Sequence, residues 1–178
     1  PWALRLPAFG AGVALIAATY LAARRFYGRH AAILAASFVA SSSILIEYST
    51  NARGYMLLCL IFISLVAFGG ALVHSGKRAE WLLFGVISAI GFHTVPIMLY
   101  GYGVVVTWLA LSITCDPKHR SKKRALALLV LSCGATLLVT VVLYAPVFLN
   151  TGFDSVIRNR FVAPVARAEF FARFFPTL

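Results

Sequence analysis

Six apolar runs separated by short clusters of arginine and lysine constrain this chain more than any other feature of it. The runs cover 7–23, 31–46, 55–73, 81–92, 95–113 and 125–149. A membrane-crossing helix needs about 20 mostly apolar residues. The second and fourth runs are too short for that. They are expected either to borrow flanking residues or to end within the membrane, where irregular backbone is tolerated only beside protein or a watery cavity. With 61% hydrophobic residues, 12% charged and a mean hydropathy of +0.90, the chain lies outside the range of soluble domains. The reading is all-α: a polytopic helical membrane bundle of about six transmembrane segments.

The net charge of +11 would suit nucleic acid if the cations formed one face. They fall instead in short loops between apolar runs, the pattern that orients a chain in a bilayer, so nucleic acid is excluded as a partner. Arg24, Arg25 and Arg29 follow the first run, Lys77 and Arg78 the third, and Lys118, Arg120, Lys122, Lys123 and Arg124 the fifth. Those ten cations share one side if the chain breaks near His93–Pro96. The other side then holds Arg5 and Arg53 before the tail. Merging 81–113 into one span would put the Lys118–Arg124 loop opposite the other basic loops. The parse therefore expects Arg24–Arg29 and Lys118–Arg124 on the cytoplasmic side, where they orient the chain, the Lys118–Arg124 loop also meeting anionic lipid. Glu47–Tyr55 and His93 fall on the extracytoplasmic side.

The expected organisation is a transmembrane domain over 1–149 and an extracytoplasmic tail over 150–178. The tail carries Arg158, Arg160, Arg167 and Arg173, against the charge rule. Phe171, Phe174, Phe175 and Leu178 recur there at helical spacing, and Glu169 and Arg173 form an i,i+4 pair, which suits a helix lying in the interface or leading into a further span. The opening Pro1-Trp2, without an initiator Met, a basic stretch or a small-residue cleavage site, reads as an excised piece rather than a signal peptide. Cys59, Cys115 and Cys133 form no CxxC pair, so redox and metal roles are not expected of them.

The polar stretch EYSTNARGY, Glu47 to Tyr55, lies between two apolar runs. Among the acidic residues, only Glu47 sits at a run's edge; Glu80 and Asp116 belong to inner loops, and Asp154 and Glu169 to the tail. One reading is that Glu47 and Arg53 neutralise each other in a solvated turn, with Tyr48 and Tyr55 as interfacial anchors. The other is a binding site. Arg53 offers a planar fork of donors suited to phosphate and Gly54 room for close backbone approach, which with the two tyrosines suits an anionic lipid headgroup or a sugar. His93, just before Pro96, falls on the same side, either as a satisfied structural residue or as part of that site. Nucleotide-binding, serine-hydrolase and metalloprotease motifs are absent. Gly101-Tyr102-Gly103 lies inside an apolar run, where helix packing explains it.

Three blocks bear a family resemblance. Arg5-Leu6-Pro7-Ala8-Phe9-Gly10 is similar to an R-x-P-S-x-x-x-G helix entry. Tyr48-Ser49-Thr50-Asn51-Ala52-Arg53-Gly54-Tyr55 is similar to Y-S-x-E-A-R-x-Y. Gly91-Phe92-His93-Thr94-Val95-Pro96 stands where a short Tyr/Thr/His turn is expected. Together, over roughly the first 110 residues, the chain resembles the C-type integral-membrane glycosyltransferases, in particular bacterial relatives of the dolichyl-phosphate-mannose protein mannosyltransferases.

The resemblance implies a fragment of that fold in a bacterial plasma (inner) membrane. The implied reaction is transfer of a sugar from a polyprenyl-phosphate carrier to an envelope lipid, glycan or protein at the extracytoplasmic face. It implies substrate binding by Glu47, Tyr48, Asn51, Arg53, Tyr55 and His93, with membrane lipids as further partners. Glu47 or His93 would orient the sugar or help hold a divalent cation. The acidic residue that activates the acceptor is implied to lie upstream, so the piece alone is expected to be inactive. Asn51 replaces the pattern's Glu and cannot supply charge to a divalent ion. A lipid-linked-substrate transporter or flippase, or a non-enzymatic membrane scaffold, are the alternatives.

Overall fold

The computed structural model describes residues 2–51, 53–73, 77–116 and 121–151. The expected interfacial helix of the tail, and the loop residues Lys118 and Arg120, lie outside them. Seven helices follow one another: α1 (Trp2–Tyr27), α2 (Arg29–Ser41), α3 (Ser43–Thr50), α4 (Tyr55–Leu72), α5 (Arg78–Thr94), α6 (Met98–Cys115) and α7 (Lys122–Thr151). The chain forms two compact units, Pro1–Leu143 and Tyr144–Leu178. The described part of the second is the last turns of α7, where the Tyr144 and Phe148 rings lie 6.0 Å apart.

Among the described residues four helices, α1, α4, α6 and α7, are each long and apolar enough to cross a membrane, and a bent pair raises the number to as many as five. That pair is α2 and α3, which meet at 58°, so the short second run straddles a bend. The break falls in Ser41-Ser42-Ser43. Ser42 is extended, with φ −69° and ψ 113°, and Ser41 Oγ donates to the carbonyls of Ser37 and Phe38 at 2.9 and 3.3 Å. Serine hydroxyls that bond back one turn compete with the backbone ladder and favour a bend. The short fourth run behaves differently. It borrows its flanks, and α5 reaches 17 residues, about 25 Å at 1.5 Å per residue, shielded by its neighbours: Trp81, Phe84, Ser88 and Ala89 are fully buried.

Close backbone contacts fix the direction of the helices in the first unit. A Cβ at Gly12 on α1 would meet Ser49 Cβ at 2.9 Å and Met56 Cε at 3.5 Å, which puts the first half of α1 against the end of α3 and the start of α4. At the other end a Cβ at Gly70 would meet the Phe26 ring at 2.6 Å and Trp108 at 3.6 Å, joining the ends of α1 and α4 to the second half of α6. The hairpin between α1 and α2 turns at Gly28, whose φ of 88° lies in the left-handed region that only glycine adopts without strain. One end of the unit thus carries the turns 51–54 and 95–97. The opposite end carries Arg24, Arg25, Arg29, Lys77 and Lys122.

Two apolar cores hold the unit. The larger joins α4, α5, α6 and the first half of α7 around Leu65, Leu72, Trp81, Phe84, Leu109 and Ile113; the smaller joins α1 to α4 through Ala11, Leu15 and Met56. Polar groups tie α5, α6 and α7 further. Tyr102 Oη lies 3.2 Å from Thr136 Oγ1, and Thr136 Oγ1 in turn lies 3.2 Å from the carbonyl of Gly85. In lipid, where apolar burial supplies little drive between helices, such contacts and small-residue packing take over.

Candidate functional site

The turn after α3 is built by its own side chains. Ser49 Oγ donates to the carbonyl of Ile46 at 2.7 Å, and Thr50 Oγ1 to the carbonyl of Glu47 at 2.8 Å. The Asn51 N–H also bonds the Glu47 carbonyl, at 3.2 Å, and Asn51 then leaves the helix with φ −87° and ψ 136°. These bonds occupy carbonyls that a helix end otherwise leaves bare. Gly54 restarts the ladder, its carbonyl accepting from Leu58 N at 2.9 Å. Tyr48 and Tyr55 then face each other across the turn, with centroids 5.3 Å apart and planes tilted by 36°. That spacing is within the range of favourable aromatic pairs.

The second segment is the end of α5. Thr94 Oγ1 bonds the carbonyl of Ile90 at 2.8 Å, and Val95 breaks the helix with φ −152° and ψ 126°. That conformation is the one a residue before proline favours. Pro96 and Ile97 then lead into α6, with Met98 N donating to the carbonyl of Val95 at 3.0 Å. His93 is exposed in the last turn of α5.

The two segments touch. A Cβ at Gly54 would meet Thr94 Cγ2 at 2.6 Å, Val95 Cγ2 at 3.2 Å and the Thr94 carbonyl oxygen at 3.3 Å. Only glycine leaves room for that approach. It seats Arg53-Gly54 on Thr94-Val95, beside His93, at the end of the bundle where α1 begins.

Glu47 and Arg53 are both exposed, and Asn51, Tyr48 and Tyr55 are half-buried. Among the described residues no ion pair joins Glu47 to Arg53, whereas Lys77 and Glu80 pair at 3.2 Å at the opposite end. Mutual neutralisation therefore does not account for the two charges. The structure does pair the two tyrosines and does place the His93 segment against the Arg53 segment. It gathers no group of three or more His, Cys, Asp or Glu side chains among the described residues. Glu47 and His93 do not by themselves make a divalent-cation site, and no chemical step is derived through one.

Two apolar cavities open below this turn within the first unit. One of about 210 Å³ lies between α1, the α2–α3 elbow and Met56, lined in part by Phe9, Gly12, Ala40 and Ser49. The other, about 430 Å³, is lined in part by Leu58, Cys59, Phe62, Ile97 and Met98. Leu15, Val39 and Leu45 border both. Reading the sequence alone did not reveal that Thr94 and Val95 form the floor of the Arg53 turn. The Pro96 break was visible, but not what packs on it.

The described residues thus form a helical membrane bundle with one polar, aromatic-flanked end above apolar cavities. The family model for dolichyl-phosphate-mannose-protein mannosyltransferases matches residues 1–150, and the chain belongs to that family. Membership places it among the membrane glycosyltransferases that use a polyprenyl-phosphate sugar donor. Neither the curated proteins nor the solved structures gave a match.

Proposed function

We propose that the Glu47–Tyr55 turn and the His93 segment bind the phosphate-sugar head of a polyprenyl-phosphate sugar. The sugar passes to an envelope lipid, glycan or protein acceptor on the extracytoplasmic side. The observation that carries this reading is the seating of Gly54 on Thr94, with a Cβ distance of 2.6 Å. It joins two polar segments, separate in sequence, at one end of an otherwise apolar bundle.

Chemically, an acceptor oxygen attacks the anomeric carbon, the bond from that carbon to the phosphate oxygen breaks, and the electron pair leaves on the carrier phosphate. Negative charge grows on that phosphate in the transition state. The Arg53 guanidinium is suited to hold it through paired, charge-assisted hydrogen bonds. Asn51 and Glu47 would hydrogen-bond sugar hydroxyls, while the Tyr48–Tyr55 pair offers a ring surface at headgroup level. The first units of the isoprenoid tail would lie in the cavities lined by Leu58, Phe62 and Met98. The acceptor's proton passes to a general base as that bond forms, a role that none of these turn residues is given.

A transporter would favour corresponding broken helices in two halves. One bent pair, α2 and α3, occurs among the described helices. That favours the transferase.

The test is Arg53→Ala in the full-length protein, assayed with a synthetic polyprenyl-phosphate sugar. Transfer should fall by about two to three orders of magnitude, the scale seen when a transition-state donor is removed, with membrane insertion unchanged. Arg53→Lys should retain part of the activity, since it keeps the charge and loses the fork. Near wild-type transfer by Arg53→Ala would refute the phosphate role.

A further inference from the structure

The opposite end of the first unit holds a feature that sugar transfer does not use. An apolar cavity of about 470 Å³ opens between the α1–α2 hairpin and helices α4 and α6. Alanines make the room, with Ala22 and Ala23 on α1 and Ala35 on α2, facing Val66, Val104 and Trp108. Phe26 closes one side. Its ring lies against Gly70 and meets Trp108 edge-on at a centroid distance of 6.1 Å and 78°. Tyr27, at 80% exposure, stands at the mouth.

Arg24, Arg25 and Arg29 flank that mouth in sequence and are all exposed. From position 1 to 46 the chain has no Asp or Glu. None of the three guanidiniums has an ion-pair or hydrogen-bond partner among the described residues. Other cations at this end are engaged: Lys77 with Glu80 at 3.2 Å, and Lys122 with the Thr114 carbonyl at 2.7 Å. Three uncompensated arginines beside an apolar slot and two interfacial aromatics match an amphiphile with an anionic head.

We propose that this corner is a binding site for an anionic phospholipid of the adjacent leaflet, its phosphate held by Arg24, Arg25 and Arg29 and one acyl chain lying in the cavity under Phe26 and Trp108. Charge decides between this occupant and the isoprenoid tail of the donor. The cavity borders the one below the polar turn at Thr19 and Ile63, so a long tail is the competing occupant. The donor's phosphate, however, would sit at the other end. Gly12, which packs on Ser49 beside the polar turn, and Phe26 lie about 21 Å apart along α1 at 1.5 Å per residue. A tail arriving from there would leave the three arginines without an anion.

The experiment uses full-length protein reconstituted in phosphatidylcholine vesicles, with phosphatidylglycerol or phosphatidylcholine brominated on the acyl chain as probes. Bromine quenches tryptophan fluorescence on contact. Brominated phosphatidylglycerol should quench more than brominated phosphatidylcholine, and the excess should vanish in Trp108→Phe, which identifies this cavity as its source. The excess should also be lost in the combined Arg24→Gln, Arg25→Gln, Arg29→Gln variant and in Ala35→Phe, which fills the slot while keeping the arginines. Equal quenching by both lipids in the wild type would overturn the proposal, as would an excess that survives the arginine substitutions. If added polyprenyl phosphate removes the excess, the cavity belongs to the donor tail and the proposal also fails. The Arg53 phosphate role is tested by sugar transfer and does not depend on any of these results.

Discussion

At the scale of single residues, the candidate site depends on the absence of one methyl group. Gly54 reads in the sequence as room for a ligand to approach the backbone. The structure shows the room already taken, by Thr94 and Val95. Gly54→Ala would drive the new methyl into Thr94 Cγ2, 2.6 Å away, and overpacking of this kind costs about 1–3 kcal/mol. The turn should lift off the α5 end, lowering sugar transfer about tenfold or more while helix content and insertion stay normal. Thr94→Ser removes the clashing Cγ2 and keeps the hydroxyl that bonds Ile90. The Gly54→Ala, Thr94→Ser pair should therefore regain part of the lost activity in the same transfer assay. No recovery would mean that Gly54 matters for something other than this contact. Arg53, Tyr48 and Tyr55 were legible because charged and phenolic side chains stand out in an apolar chain. The Gly54–Thr94 contact was not, since it joins positions 40 apart and neither residue is unusual where it stands.

At the scale of elements, hydropathy located the helices, and the two short runs resolve in different ways. The run at 31–46 straddles the bend between α2 and α3, at the Ser41-Ser42-Ser43 triplet, where the Ser41 hydroxyl bonds back to the helix at 2.9 Å. The run at 81–92 extends by residues that hydropathy scores as polar, Arg78 and Glu80 at one end and His93 and Thr94 at the other. Gly101-Tyr102-Gly103 reads in the sequence as helix packing, and the structure adds a polar link there, Tyr102 and Thr136 joining three helices. Thr136→Val keeps the shape and deletes the hydroxyl that touches both Tyr102 Oη and the Gly85 carbonyl, each at 3.2 Å. Interhelical bonds of this type average about 0.6 kcal/mol, with a maximum near 1.7. Two such contacts are lost together, so a lowered unfolding temperature in detergent is expected, by a few degrees. The same substitution should leave the pH and donor dependence of transfer unchanged, which separates a packing role from a place in the site.

At the scale of the whole molecule, the alternation of helices makes the two ends chemically unlike. The polar end gathers Glu47, Asn51, Arg53 and His93; the other gathers Arg24, Arg25, Arg29, Lys77 and Lys122. On our proposal the basic end faces the cytosol, the orientation that charge bias of this kind favours, and a polyprenyl-phosphate head at the polar end would then meet its acceptor outside. Cysteine accessibility tests that orientation directly. Ser49 is a poor reporter because it is packed against Gly12, with 2.9 Å to a Cβ there, whereas Thr50 is exposed one residue later. Native Cys115 is exposed at the far end of α6 and reports the basic side without mutation. In intact cells a membrane-impermeant maleimide should label Thr50→Cys and leave Cys115 unmodified until the membrane is opened. Labelling of both from outside would mean that one of the helices between them does not cross. Labelling of Cys115 alone would invert the bundle, put the Arg53 turn in the cytosol and move the proposed transfer to the other face. Because the helices between the two cysteines, α4, α5 and α6, are odd in number, opposite accessibility also requires α5 to be a full span despite its 17 residues.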